Sequence, residues 1–413
     1  MIETSFQHLA RKTLKKKLVQ RVIDLALIPI AILLLFTRYI LKIKFFRVPG
    51  GRFGHLAMNQ ELFLRRQQLG LIPEKGIKYI GLVPASVCNQ QLVTMLKRKL
   101  TIIQFPQPRF LRTITKIMAE KSILSKWDLF VTFPYDVGYF PTFHEAKPSL
   151  SFTEEEEQEG RELLQKMNIT SWFVSLHVRD SVYVSQILKR GDSRYTYRNS
   201  SIENFILAAD YLTKQGAHVV RMGAKVQEKM PEQHNQKIID YSTLYRTELG
   251  DVYLPAKCRF FLGTGSGVAS IAEMFNVPTI LTNMIPLSPL IPSGQVAHFP
   301  PGKNDLFIPK KIWSVEKKRH LTFKEEIAFD HNCSFDTEDY EKKGLVPIEN
   351  TPEEILAVAQ EMNQRLNDTW RSTGEDEELQ RKFKALFKQG SNDYQFSARL
   401  GARFLRENKH LLE

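Results

Sequence analysis

Cysteine is scarce: Cys88, Cys258 and Cys333 are the only three in 413 residues. An odd, widely spaced set with no Cys-x-x-Cys pair excludes a disulfide framework, gives no zinc signal and suits a reducing compartment. His-Glu-x-x-His is also missing, so the helix-borne zinc site of metalloproteases is excluded. Asp-x-Asp occurs nowhere either; that arrangement holds Mn²⁺ or Mg²⁺ against a diphosphate. A chain without it that handles a diphosphate must neutralise the charge with arginine, backbone amides and helix dipoles. Repeats and low-complexity linkers are absent.

A bilayer-length apolar run is lacking as well. The most apolar stretch, LALIPIAILLLF from Leu25 to Phe36, lies between Asp24 and Arg38 and contains Pro29, and it falls short of the ~20 residues that span a membrane. The formal charge of +13 is concentrated around it. Residues 1–50 hold ten of the 58 Lys and Arg but two of the 45 acids, leaving 48 basic against 43 acidic residues for the rest. A near-balanced remainder with no recognisable module argues against nucleic acid as a partner. Basic residues on both sides of the run predict a helix dipping into an anionic leaflet on the cytoplasmic side. A signal anchor that includes Tyr39–Phe46, with Lys42 and Lys44 snorkelling, is the alternative. A cleaved signal peptide fits poorly, because no small-residue cleavage site follows, and a buried core helix is weakened by the charge on both sides.

What is present is alternation. IKYIGLVP, KLTIIQFP and WDLFVTFP read as short buried strands ended by Pro, with basic helical segments before the last two. After a break at FPTFHEAKPSLSFTEEEE, where Thr153 and Glu156 have capping-box spacing, SWFVSLHV, AHVVRMG, CRFFLGTGSG and VPTILTN read as strands. SIENFILAADYLTKQG and VASIAEMF read as the helices among them. The fold class is therefore α/β with two doubly wound parallel sheets. The expected organisation is a basic membrane-associated helix over 1–47, one domain over 48–150, a second over 151–350, and C-terminal helices over 351–413.

Ligands of open parallel sheets bind at the carboxyl ends of the strands, and in the second domain those ends read HVRD, RMG, GTGSG and TN. The GTGSG turn, with Gly265, Ser266 and Gly267, stands between a strand and a helix, a place suited to phosphate; a plain tight turn is the other reading. Arg179 and Arg221 each lie at or just past a strand end, where a guanidinium grips phosphate oxygens or forms a salt bridge to a nearby acid. His177 alternates with Arg179 and reads as a structural residue or as one that orients a phosphate or sugar oxygen. In GRFGH, on the loop after the first strand, His55 is a candidate to accept a proton, or else a helix-start residue with no chemical role.

HVRDSVY, YRNSSIENFILAADYLTKQGAHVVRMG, FFLGTGSGVASIAEMFNVPTILTN and GRFGHLAMNQELFLRR resemble a bacterial family of glycosyltransferases encoded in surface-polysaccharide loci. The likeness runs over roughly residues 45–300 and the extreme C-terminus. His177-Val178-Arg179-Asp180 is more distantly similar to the His-x-Arg strand-end motif of the protein O-fucosyltransferases and the nodulation fucosyltransferase. The usual continuation is not kept, since Ser181, Val182 and Tyr183 follow Asp180.

The resemblance implies a GT-B architecture, two Rossmann-like domains facing a cleft, and a nucleotide-sugar donor whose diphosphate Arg179 engages. On this expectation Arg221 and the Gly265–Ser266–Gly267 turn assist Arg179, and His177 orients the diphosphate. His55 or Asp180 takes the acceptor proton, and Glu273 either reaches ribose or sugar hydroxyls or faces solvent. No cofactor or metal is expected. The acceptor would be a glycan or a lipid-linked glycan, the membrane partner anionic lipid, and the location the cytoplasmic face of the bacterial inner membrane. A polysaccharide pyruvyltransferase and a non-catalytic membrane-attached scaffold are the alternatives.

Overall fold

The computed structural model describes residues 21–22, 25–72, 76–105, 130–131, 139–180, 192–224, 226, 230, 235–288, 300–333 and 336–413. The basic residues up to Lys17, Ser181–Tyr183, and much of the stretches 183–200 and 283–305 lie outside these. The chain divides into two compact units, one of residues 1–51, 70–88 and 96–133, the other of 52–69, 89–95 and 134–413.

The first unit holds a four-stranded parallel sheet in the order β3-β2-β1-β4. Its strands are β1 (Ile43–Arg47), β2 (Lys78–Pro84), β3 (Thr101–Phe105) and β4 (Phe130–Val131). The helix Ile28–Tyr39 packs against β1, with Ala31 and Leu34 buried. Among the described residues no helix is long and apolar enough to cross a membrane.

The second unit is built on a seven-stranded parallel sheet. In chain order its strands are β5 (Phe173–His177), β6 (His218–Arg221), β7 (Ile238–Ile239), β8 (Phe260–Thr264), β9 (Thr279–Met284) and β10 (Leu306–Pro309), closed at one edge by a late strand (Arg399–Leu400). β6, β8, β9 and β10 are buried along their whole length, the pattern of a sheet covered on both faces. A three-stranded antiparallel sheet follows: β11 (Lys311–Ser314), β12 (Arg319–His320) and β13 (Leu345–Ile348), with β11 in the middle. The late strand is β14.

The order across the large sheet is β14-β10-β9-β8-β5-β6-β7. Numbered from β5, the six strands β5–β10 run 3-2-1-4-5-6, the doubly wound nucleotide-binding order, whose switch point lies between its first and fourth strands. Here those strands are β5 and β8. They pair in parallel, with His177 opposite Gly263. A Cβ at Gly263 would stand 2.0 Å from the His177 carbonyl oxygen, so the two strands meet only because that position is glycine.

Three features depart from the sequence expectation. The boundary is not a single cut near 150, because the Phe53–Gln68 helix lies in the second unit. There it packs on the Ala269–Met274 helix, burying eleven of its sixteen residues. Residues 351–413 are not a separate helical appendage either, since β14 hydrogen-bonds in parallel to β10. And β11–β13 form a sheet that the alternation of strands and helices does not announce. The capping box is present as expected: Thr153 Oγ1 accepts the Glu156 amide, and Glu156 accepts the Thr153 amide at 2.8 Å.

Candidate functional site

The switch point brings two of the expected motifs together. β5 runs into Val178-Arg179-Asp180, and β8 into Gly265-Ser266-Gly267. The Arg179 amide donates to Thr264 Oγ1 at 2.9 Å, which ties the first exit to the second. The Arg179 carbonyl in turn accepts the Ser200 amide at 3.1 Å. Beside it, Arg198 Nη2 donates to the Gly265 carbonyl at 2.9 Å, so the Arg198 guanidinium lies against the glycine turn. Lys310, buried just past the end of β10, donates to the Asn199 carbonyl at 2.7 Å and holds this segment from the other side. Burial pushes the Lys310 ammonium down to about 8.

Arg198 and Lys310 escape a reading of strand ends. Arg198 is the last residue of the 3₁₀ segment Asp192–Arg198 and does not end a strand. Lys310 has the neutral look of any charged residue between two short strands.

His177 Nδ1 lies 3.1 Å from the Met222 carbonyl oxygen. A carbonyl only accepts, so Nδ1 carries the hydrogen and Nε2 presents a lone pair. Burial holds the imidazole below its ordinary pKa and outweighs the carbonyl contact and the Asp180 charge. A neutral ring with an accepting Nε2 suits a hydroxyl better than a phosphate oxygen, which narrows the expected role to a ribose or sugar hydroxyl.

Arg221 has the salt bridge that was its second reading. Its Nη1 is 3.4 Å from Asp240 Oδ2, both side chains being largely buried. Asp240 also accepts the Thr243 hydroxyl at 2.9 Å.

The glycine turn serves packing as well as any ligand. A Cβ at Gly267 would fall 2.7 Å from the Gly54 nitrogen, and one at Gly54 would fall 3.1 Å from Gly267 Cα. The start of the Phe53–Gln68 helix therefore abuts the turn. Ser266 is buried, and its Oγ accepts the Ala269 amide at 3.3 Å, so its oxygen helps start the following helix.

His55 is the third residue of that helix, so it is not on a loop, and its Nδ1 lies 3.2 Å from Asn59 Oδ1 one turn on. Burial, with Arg52 adding to it, holds its pKa below the ordinary value. A neutral imidazole can accept a proton at pH 7.

Glu273 is not brought to this place. Six residues beyond Gly267 at ~1.5 Å per helical residue is about 9 Å toward the amino ends of the strands. There Glu273, His144, Asn276, Lys303 and Asp305 help line a cavity of about 210 Å³. Asn276–Pro278 lead into β9 and Asp305 into β10, so this cavity is at the amino ends of the strands.

The fold and these side chains define a doubly wound α/β protein with arginines and a glycine turn at its switch point. No protein-family model matches the chain, and no curated protein matches it. Solved structures are similar to it. One is the Escherichia coli ADP-heptose LPS heptosyltransferase II, with a TM-score of 0.39 and 13% identity over 64% of this chain and 90% of that one. Another is a family 9 glycosyl transferase from Veillonella parvula, with a TM-score of 0.44 and 11% identity over 79% of this chain and 97% of that one. A third is the iron-containing dodecameric glycosyltransferase TibC from enterotoxigenic E. coli, with a TM-score of 0.33 and 12% identity over 59% of each chain.

Proposed function

We propose that the protein is a glycosyltransferase of GT-B type that moves a sugar from a nucleoside-diphosphate donor to a hydroxyl of a glycan or lipid-linked acceptor in bacterial surface-polysaccharide synthesis. The observation that carries this reading is the convergence of Arg179, Arg198 and the Gly265–Gly267 turn on one switch point of a 3-2-1-4-5-6 sheet. Two guanidiniums and a glycine turn at a helix start suit a diphosphate. With Arg221 paired to Asp240, Arg198 takes the place of second cation.

In the reaction proposed, the bond from the sugar's anomeric carbon to the diphosphate oxygen breaks, and that oxygen keeps the electron pair. Arg179 and Arg198 stabilise the charge that develops there. The acceptor hydroxyl oxygen bonds to the anomeric carbon and gives its proton to neutral His55, or to Asp180 as the second candidate. His177 accepts a hydrogen bond from a donor hydroxyl through Nε2. The cations named here are protein side chains, so activity is expected to persist at about its untreated level in the presence of a strong chelator. Loss of activity to the chelator, restored by one added metal, would reject metal independence.

The direct test is a thermal-shift screen of the protein against UDP, GDP, CDP, ADP, dTDP, CMP and phosphoenolpyruvate. A nucleotide at a hundred times its dissociation constant stabilises by about 2.7 kcal/mol. Arg179→Ala is expected to weaken that nucleotide about ten- to a hundredfold, the worth of a charge-assisted hydrogen bond. Stabilisation by phosphoenolpyruvate and by no nucleotide would replace this reading with pyruvyl transfer. Unaltered nucleotide binding in Arg179→Ala would remove the arginine from the site.

A further inference from the structure

We propose that the outer face of the Ile28–Tyr39 helix is a docking surface for an anionic lipid bilayer, with the helix lying along the interface and not crossing it.

The helix is apolar on two sides. Leu27, Ala31 and Leu34, spaced by four and three residues, are buried on the side that meets β1. Opposite them, Ile28, Ile32, Leu33, Phe36 and Tyr39 follow the same helical spacing but face solvent, with Ile32 60%, Leu33 59% and Phe36 50% exposed. Ile40 and Leu41 continue the patch past the helix end. More than half of the exposed large apolar side chains among the described residues fall between Val22 and Leu41, so this is one surface and not scattered exposure.

Length and charge choose the occupant. Twelve residues at ~1.5 Å each reach about 18 Å, well short of the ~30 Å hydrocarbon core. The buried stripe is seated on the helix's own unit, so inserting the whole helix would strip Ala31 and Leu34 from their packing. One face is thus available to lipid and the other is not, the arrangement of an interfacial helix.

Basic residues flank the patch in the sequence. Arg21 and Lys42 are exposed at its two ends, Arg38 lies over the Tyr39 ring at 5.1 Å, and five more Lys and Arg fall between positions 11 and 17. Such a collar is attracted to anionic headgroups near the surface. A second copy of the chain docked symmetrically on this face would bring two basic collars together, so charge favours lipid over self-association. The docking requires nothing of the donor site and stands or falls separately from it.

The test is flotation of the full chain with vesicles of phosphatidylglycerol mixed with phosphatidylcholine, compared with phosphatidylcholine alone. The wild type is expected to float with the anionic vesicles and to be released by added salt. Combining Ile32→Asp, Leu33→Asp and Phe36→Asp, at side chains already exposed, is expected to lower partitioning at least about tenfold with the circular dichroism unchanged. As a second readout, Phe36→Trp is expected to shift its emission to the blue when anionic vesicles are added. Full vesicle binding by the triple variant, or no blue shift, overturns the proposal. So does a wild-type dimer that ignores vesicles and becomes monomeric in the triple variant, which would make this face a contact between two copies.

Discussion

Replacing Arg65 by Ala is expected to destabilise the second unit by about 3–5 kcal/mol, a large share of the ~5–15 kcal/mol that holds a domain folded. The side chain is fully buried in the Phe53–Gln68 helix. Its Nε donates to Glu61 Oε1 at 2.7 Å, Nη1 to the Ala146 carbonyl at 3.2 Å, and Nη2 to the Met274 carbonyl at 2.6 Å and Asn276 Oδ1 at 3.0 Å. The guanidinium also lies 4.0 Å from the centre of the Phe143 ring. Met274 ends the helix that follows the glycine turn, so Arg65 supplies a cation and a donor where that helix exposes its carbonyls.

Truncation would orphan those carbonyls and leave Glu61 buried without its counter-charge. Burial already holds the Glu61 carboxyl above the usual carboxylate range despite Arg65. Urea unfolding of Arg65→Ala should show the loss as a lowered midpoint. The double variant Glu61→Leu/Arg65→Met should recover much of it, because a buried pair is costly to break and far less costly to replace as a whole. A loss below about 1 kcal/mol in the single variant would mean that water reaches and solvates the site.

Arg65 shows where sequence pattern stops being informative. ELFLRRQQ has a helical pattern and is a helix; what holds the buried Arg65 includes partners 81 to 211 positions away. The same distinction separates what was legible elsewhere. β5, β6, β8 and β9 are short apolar runs ending in polar or glycine-rich residues, so both their existence and the chemistry at their ends could be read locally.

Their order could not. Nothing in HVRD and GTGSG says that the two are neighbours, and only the pairing of His177 with Gly263 puts them at one switch point. Arg399–Leu400 is a strand because the edge of β10 accepts it, although SARLGARFLRENKHLL carries helical spacing. Gly54 and Gly267 each look like turn glycines, yet each leaves room for the other's backbone. Glu273 stands near the glycine turn along the chain, but six positions carry it toward the amino ends of the strands, so nearness in sequence is not nearness in space.

Raising the pH from about 5 to 8 is expected to weaken the second unit, and Glu326→Gln is expected to flatten that decline. Glu326 and Asp330 are both buried one turn apart on the helix Phe323–Asp330. Asp330 Oδ2 accepts the Leu287 and Ser288 amides at 2.7 and 2.9 Å, which clamps the chain just after β9. Burial pushes Asp330 up to about 7 against the pull of those two amides. Burial, followed by the Asp330 charge, raises Glu326 as well. Asp305, which accepts the Thr279 and Gly302 amides at 2.9 and 2.6 Å, is also pushed up to about 7 by burial.

An acid whose folded pKa exceeds its unfolded value stabilises fully below the unfolded pKa and loses that contribution as pH rises through the folded one. Asp330 and Asp305, raised to about 7, therefore each cost on the order of 2 kcal/mol between about pH 5 and 7. The histidines act in the opposite sense. Burial lowers His55 and His177, so their contribution is lost as pH falls below about 6.5; they offset the carboxyls on the acid side and drop out above it. The histidine contribution is common to wild type and variant, so the difference between their urea-unfolding free energies isolates the pair. That difference should move in favour of Glu326→Gln as pH rises, because the amide cannot ionise beside Asp330. A difference that stays constant from about pH 5 to 8 would mean that the pair does not titrate in the folded protein, and that the clamp on Leu287 and Ser288 holds with both carboxyls in one protonation state throughout.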